Sequence, residues 1–343
     1  MRPGSRTAGS LTLLLLINGV TACADLVVKP PESDLNMEDF EAVWNAVDTI
    51  YPYLEFKQID WDSIYTTFRP RAEAAHGDEI YRVLHDLLYQ LRDGHVSYTT
   101  PGGGERYPWI PPRRLRDQGL YNPFVVRGYF EKDLQLSPNG KIEYGILPDN
   151  IGYIFLADFH KDYLIRDFPA VMRSMSATTG LILDIRQRVG GDTGNIAAVV
   201  SHFLTEPLPW FEFIYQGEPI VTTPCQPRGS SPYTNPVVVL INGLTFSAGE
   251  ACTEMLKQLP HVTAVGDTTG GGSAGGTISD TGRHILPSGK RIEIGTLDLR
   301  RYDGLPWEWL GIPPDIRVVQ TEADISTGRD RQIEFAIELL ING

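Results

Sequence analysis

The stretch from Pro236 to Glu250, PVVVLINGLTFSAGE, constrains this chain more than any other. Val237 to Ile241 is a β-branched apolar run too short for a helix, and it reads as a buried strand. Asn242-Gly243 ends the run in a tight turn. Ser247-Ala248-Gly249-Glu250 then opens a helical pattern carried by Ala251, Met255 and Leu259. That order puts a hydroxyl at a helix N-terminus, where unpaired amides and the helix dipole favour negative charge. An acyl-transfer nucleophile needs such a setting, because an oxyanion develops beside it. The same letters also spell a capping box, Ser-x-x-Glu, in which Ser247 and Glu250 satisfy amides and do nothing more. The window alone favours the cap, so the rest of the chain has to decide.

A chain of 343 residues can bury a large core, with about two domains as the prior. Its 42% hydrophobic and 21% charged residues are ordinary for a globular protein. The net charge of −13, with no Lys/Arg run, sets aside a nucleic-acid partner. Arg2 and Arg6 precede an apolar run from Leu11 to Ile17 and small residues up to Ala22. Residues 1–22 are therefore expected to be a secretory signal, its apolar run too short to span a bilayer. Val20-Thr21-Ala22-Cys23 resembles a bacterial lipobox, so Cys23 is the expected lipidation site and membrane anchor. The expected location is the bacterial cell envelope. Cys225 and Cys252 remain, and the sequence leaves open whether they pair or are buried as free thiols.

Residues 23–34 are expected to form a polar tether, and residues 35–98 an N-terminal helical domain. Phe40, Val43, Trp44, Val47, Ile50, Tyr51 and Leu54 recur at helical spacing, with Asn36 as the expected N-cap. A second helix starts at Asp60, and a third runs from Asp78 to Leu91, with Gly94 as the expected C′ residue. Residues 99–343 are expected to form the core domain. Short β runs at Phe124–Phe130, Lys141–Leu147 and Ile151–Phe159 lead to a helix, Tyr163–Met175, and a buried strand, Leu181–Ile185. Gly190-Gly191-Asp192 and a helix from Ile196 to Leu204 follow; another strand, Thr263–Gly266, comes after the Ser247 helix. Alternating strands and helices predict α/β layers.

The glycines at 270–276 carry no Gly-Lys-Ser/Thr and open no helix, so neither phosphate-loop fingerprint fits. No His-Glu-x-x-His and no Cys/His cluster occurs, so no metal or cofactor is called for. The loop Arg186 to Gly191 joins a buried strand to a helix, and its amides can face a crevice at the strand ends. His95 follows a helix stop, where its side chain can leave the helical domain and face a neighbour; His160, after a strand, competes with it.

Four segments then fall in one order: Leu91-Arg92-Asp93-Gly94-His95, Asp184-Ile185-Arg186…Gly190-Gly191, Asn242 through Glu250, and Glu308-Trp309-Leu310-Gly311-Ile312-Pro313-Pro314-Asp315. This order resembles the C-terminal-processing (tail-specific) serine peptidases, and the likeness extends to the tricorn protease core and the interphotoreceptor retinoid-binding proteins. It covers roughly residues 37–320. Many tail-specific enzymes use a serine–lysine dyad, but the segment Thr268 to Ser273 holds no lysine and Lys257 does not map onto that dyad. The histidine-base branch, similar to the tricorn core, fits better. There the base matches His95 and an acid of the catalytic set matches Glu308. The tricorn core has a serine before that histidine, where this chain has Gly94. About fifty residues separate Tyr98 from Asn150, too few for the PDZ domain many relatives carry there.

The resemblance implies a crotonase-like/ClpP-like β-β-α core with an N-terminal helical cap. It implies a serine-type endopeptidase or processing peptidase acting on a peptide or protein through an acyl-enzyme on Ser247. His95 would be the general base and Glu308 the residue orienting it, with amides of Gly190 or Gly191 and of Ala248 as the oxyanion hole. Asp93 is expected to be structural, and Asp184 and Arg186 to pair and hold the oxyanion loop. Two other readings stay open: a binding protein that kept the fold without the chemistry, and an esterase.

Overall fold

The computed structural model describes residues 32–342 except 161, 188–189, 230 and 274–282. The leader and Cys23 lie outside the described residues. The apolar run expected as a buried strand forms one: Val237–Ile241 sits inside a seven-stranded sheet, fully buried. The strand order is Ile316–Arg317, Val262–Gly266, Val237–Ile241, Gly180–Asp184, Ile151–Leu156, Ile142–Leu147, Gln135–Leu136. Pairing is parallel from Ile316 through Ile151 and antiparallel in the last two pairs. Val239 pairs with Leu183 on one side and Ala264 on the other.

Continuous apolarity in that strand follows from layers on both faces. Val237, Val239 and Ile241 pack with residues of the helices Tyr163–Met175, Thr193–Val200 and Ala248–Leu256. Val238 and Leu240 face the other way, onto Ile333 and Ala336 of the closing helix Arg331–Asn342. The protein is thus α/β with a central mixed sheet, as expected.

The helical segment forms Glu32–Ile50, Trp61–Glu73 and Glu79–Tyr89. Asp60 caps the second helix by accepting from Ser63 N at 2.9 Å. Asn36 is not a cap. It lies within the first helix, buried, and its amide donates to Ala75 O and Gly77 O, tying that helix to the turn before the third. Gly94 is not a helix C′ residue either; the left-handed residue after this helix is Arg92, with φ +44°. The core of this layer takes in Leu286, Ile292 and Ile294 from far along the chain. Ser97–Thr99 also pairs with Arg291–Glu293, Tyr98 opposite Ile292.

Phe124–Phe130, expected as a β run, is instead a short helix, Pro123–Arg127. Its start is local chemistry: Asn122 Oδ1 accepts from Phe124 N at 2.9 Å, and Pro123 occupies a first-turn position where its missing N–H costs nothing. Glu212–Tyr215, a strand with no clear sequence signal, pairs antiparallel with Leu297–Arg300. Among the described residues, no helix is long and apolar enough to cross a membrane.

Candidate active site

Ser247 stands between the central strand and the helix Ala248–Leu256, at φ +56°, ψ −116°. A non-glycine residue in that region costs about 1–3 kcal/mol and persists only where neighbours over-determine it. The neighbours are visible. Thr245 Oγ1 donates to Ile185 O at 2.9 Å, Leu244 N donates to Asn242 Oδ1 at 2.9 Å, and Gly243 N donates to Asp117 Oδ2 at 2.6 Å. A Cβ on Gly243 would lie 2.4 Å from Arg113 O, so the turn is pressed against the 112–117 segment.

Glu250 does far more than close a capping box. Its carboxylate is fully buried and accepts Ser247 N at 2.9 Å, Thr269 Oγ1 at 2.6 Å, Gly271 N at 2.8 Å and Gly272 N at 2.9 Å. One side chain therefore clamps the serine turn to the glycine segment. Burial pushes its carboxyl up to about 7, against the pull of those four donors.

His95 reaches the same turn from the helical layer. Its ring stacks on Phe246, the residue before Ser247, with centroids 4.6 Å apart and planes at 25°. The packing explains three glycines. A Cβ on Gly94 would lie 2.9 Å from Phe246 Cζ, one on Gly270 2.7 Å from Phe246 Cδ2, and one on Gly272 2.0 Å from Phe246 Cζ and 3.0 Å from His95 Cε1. Phe246 and Pro111 crowd position 94 from two sides, so a side chain there would force one of them to shift. Arg114 covers Phe246 from another side, its guanidinium carbon 4.3 Å from the ring centroid. Burial lowers the His95 pKa to about 4, with Arg114 and Lys57 acting in the same sense and Asp93 opposing. Among the described residues neither ring nitrogen has a hydrogen-bond partner, so the imidazole is not bonded to Ser247 in this conformation.

Behind His95 lies a buried ionic cluster. Asp93 Oδ1 accepts His95 N at 2.8 Å and stands 4.0 Å from His95 Nδ1. Tyr51 OH donates to Asp93 Oδ2 at 2.8 Å. Lys57 Nζ pairs with Glu308 Oε1 at 2.7 Å and lies 3.7 Å from Asp93 Oδ2, all three side chains fully buried. Glu308 Oε2 accepts Ser273 N at 3.0 Å. The structure thus brings Glu308 into the site, but behind Lys57 rather than onto the imidazole. Burial and the nearby Asp93 raise the Glu308 carboxyl to about 8, with Lys57 opposing. Asp93 is held below its usual range: burial opposes this, and Lys57, His95 and the hydrogen bonds it accepts outweigh burial.

Gly190 sits beside the serine: a Cβ there would lie 3.8 Å from Ser247 Cβ and 4.0 Å from His160 Nε2. Gly191, at φ +142°, bridges Phe159, and a Cβ on it would lie 2.1 Å from the Phe159 carbonyl carbon. Phe159 N donates to Gly190 O at 2.7 Å, which fixes the loop edge. Ala248 is buried at the first helical position. Asp184 and Arg186 do pair, Nε to Oδ1 at 2.9 Å and Nη2 to Oδ2 at 2.6 Å, and Arg186 also reaches Asp330 and Gln332. Lys257 points elsewhere, to Asp315 at 2.9 Å. Cys225 and Cys252 are free and buried.

Sequence reasoning missed Lys57 and Tyr51 and undervalued Asp93. The available signal was a lysine among aromatic residues, Tyr51-Pro52-Tyr53-Leu54-Glu55-Phe56-Lys57, and it is weak, because a lysine is buried only where distant residues pair with it.

The family model for peptidase family S41 matches residues 150–318, and that for the tricorn protease C1 domain matches residues 36–89. Two proteins of Streptomyces coelicolor described as tricorn protease homologues are 29% identical over 207 residues and 28% identical over 256 residues. These alignments cover 59% and 72% of this chain but 16% and 21% of the relatives, so the chain spans about a fifth of their length. A solved structure of a candidate peptidase from Parabacteroides merdae superposes with a TM-score of 0.76 at 26% identity, covering 89% of this chain and 96% of that one.

Proposed function

This chain belongs to peptidase family S41, in its tricorn-like, C-terminal-processing group, and from that premise we propose that it is a serine peptidase acting on peptide or protein substrates. Ser247 Oγ attacks the scissile carbonyl as His95 takes its proton; the imidazolium then protonates the leaving amine, and water hydrolyses the acyl-enzyme. Asp93, 4.0 Å from His95 Nδ1, is the carboxylate placed to orient the ring, and Glu308 acts on it from behind Lys57. Amides of Gly190 or Gly191 and of Ala248 hold the oxyanion.

The observation that carries this reading is a serine held at φ +56° at a helix N-terminus, with an imidazole stacked on the residue before it. A satisfied cap needs neither. The reading requires the His95 ring to leave this resting position and meet Ser247 Oγ, as catalytic hydrogen bonds often tighten only when substrate binds. Ser247→Ala should lower turnover of a cleaved peptide on the order of 10⁴-fold while leaving the thermal transition in place. Near-normal turnover by that variant would remove the assignment. The unpartnered imidazole also favours a second reading, a peptide-binding protein on the same fold. Ester substrates hydrolysed in preference to peptides would point to the esterase.

The proposed organisation is a helical layer, residues 35–98, that delivers the base to a peptidase core, residues 99–343; the tricorn C1 match over 36–89 supports it. We further propose export under a signal at residues 1–22, a tether over 23–34, and lipid anchoring at Cys23 in a bacterial envelope, supported by the residue pattern alone.

A further inference from the structure

Lys57 is a fully buried cation beside the site. Its ammonium donates to Glu308 Oε1 at 2.7 Å, Tyr51 OH at 2.7 Å, Leu91 O at 2.9 Å and Arg92 O at 3.2 Å, and it stands 3.7 Å from Asp93 Oδ2. The aromatic rings of Tyr51, Tyr53 and Trp309 surround it at 5.4, 5.9 and 5.0 Å. Each carboxylate it touches holds a different part of the site. Asp93 grips the backbone of His95, while Glu308 grips Ser273 at the end of the segment that roofs His95. Tyr53 OH meets Ser273 Oγ at 2.5 Å, so the same segment is pinned twice from the helical layer.

We propose that Lys57 is a positioning residue for the reaction, joining the Asp93 carboxylate that orients His95 to the Glu308 carboxylate that fixes the glycine segment over it. The proposal rests on His95 being the base. Lys57 stands between the Asp93 carboxylate and the Glu308 carboxyl and favours the ionised form of both, and the imidazolium formed during attack faces the Asp93 carboxylate. Without Lys57, Asp93 loses the cation that favours its ionised form and Glu308 loses its ion-pair partner, loosening the His95 end or the Ser273 end. The other charged or titratable groups facing this cluster are Tyr51, Tyr53, Arg92 over Trp309, Arg114 behind Phe246, Asp298 near Tyr53, and Glu250 through the amides of Gly271 and Gly272.

The test is the second-order rate of fluorophosphonate labelling of Ser247 in the full chain, measured across pH. Lys57→Met should slow labelling on the order of a hundredfold and displace the pH limb that reports His95, and Lys57→Arg should recover part of the rate. Lys57→Met leaves an unbalanced buried charge and is prone to misfold, so Lys57→Met/Glu308→Gln is compared with Glu308→Gln alone. The double variant should still label at least tenfold more slowly, with the limb displaced. Equal rates and equal pH profiles for those two proteins would reduce Lys57 to a charge balance and overturn the proposal. His95→Ala is run beside them: if it labels like wild type, the reading of the base has failed. If His95→Ala is slow while the Lys57 variants match their controls, only the role given to Lys57 has failed.

Discussion

At the scale of single residues, the site is organised by what a side chain is denied as much as by what it is given. His95 has no partner for either nitrogen among the described residues and is held by stacking on Phe246 and by its backbone bond to Asp93. Burial holds its pKa near 4, so it is neutral and able to accept a proton well into mildly acid solution. Glu308 runs the opposite way, raised to about 8 from its usual 4.5. Between those two values the folded protein binds a proton that the unfolded chain has released, so this group's stabilising contribution is full below about pH 4.5 and is lost as pH rises through 8. Glu250, raised to about 7, acts in the same sense over a narrower window. The histidines His95 and His202, both lowered to about 4, lose stability only as pH falls below 6.5. The melting temperature should therefore fall between pH 6.5 and 8, and Glu308→Gln should flatten that slope, read by thermal unfolding at fixed ionic strength. A slope unchanged by the substitution would show that Glu308 is ionised throughout. The sequence named Ser247, His95 and Glu308 through motif order, but not Lys57, whose importance comes from being buried by residues far along the chain.

At the scale of elements, the strand–turn–helix around Ser247 was legible because its determinants are local: an apolar β-branched run, an Asn-Gly break, and small residues opening a helix. The glycine segment after Thr269 was legible only as something other than a phosphate loop. Its purpose depends on Phe246, which needs Gly94, Gly270 and Gly272 around it, and no local pattern announces a contact among three separated glycines. Phe124–Phe130 misled for a similar reason, since its apolar residues suit a strand while Asn122-Pro123 starts a helix turn. Glu250 separates a simple cap from a structural clamp. A lost capping contact costs about 1 kcal/mol. A buried carboxylate serving four donors should cost more, because Glu250→Gln turns an NH₂ group toward backbone amides and leaves several of them unpaired. We expect Glu250→Gln to destabilise by about 3 kcal/mol or more in denaturant unfolding. A loss of about 1 kcal/mol would return Glu250 to the role of a cap.

At the scale of the whole molecule, the base, the nucleophile and the acid come from three stretches that no local window contains. The helical layer is bound to the late strands by more than its apolar core. Asp39, buried in the first helix, accepts Ser288 N at 3.0 Å, Ser288 Oγ at 2.6 Å and Lys290 Nζ at 2.9 Å. Tyr53 OH accepts Leu299 N at 3.0 Å, and Lys57 meets Glu308. These ties predict that the layer and the core unfold together. Helical signal in the far ultraviolet and tryptophan fluorescence should report one coincident denaturant transition, and Asp39→Ala should lower its midpoint for both probes; separated transitions would mean the layer melts alone. The most direct test of the central claim is to label the protein with a fluorophosphonate and locate the adduct by peptide mass. The account predicts one adduct, on Ser247, at a rate lowered on the order of a hundredfold or more by His95→Ala and left within a few-fold by His160→Ala. Labelling elsewhere, or a rate that depends on His160 and ignores His95, would contradict it.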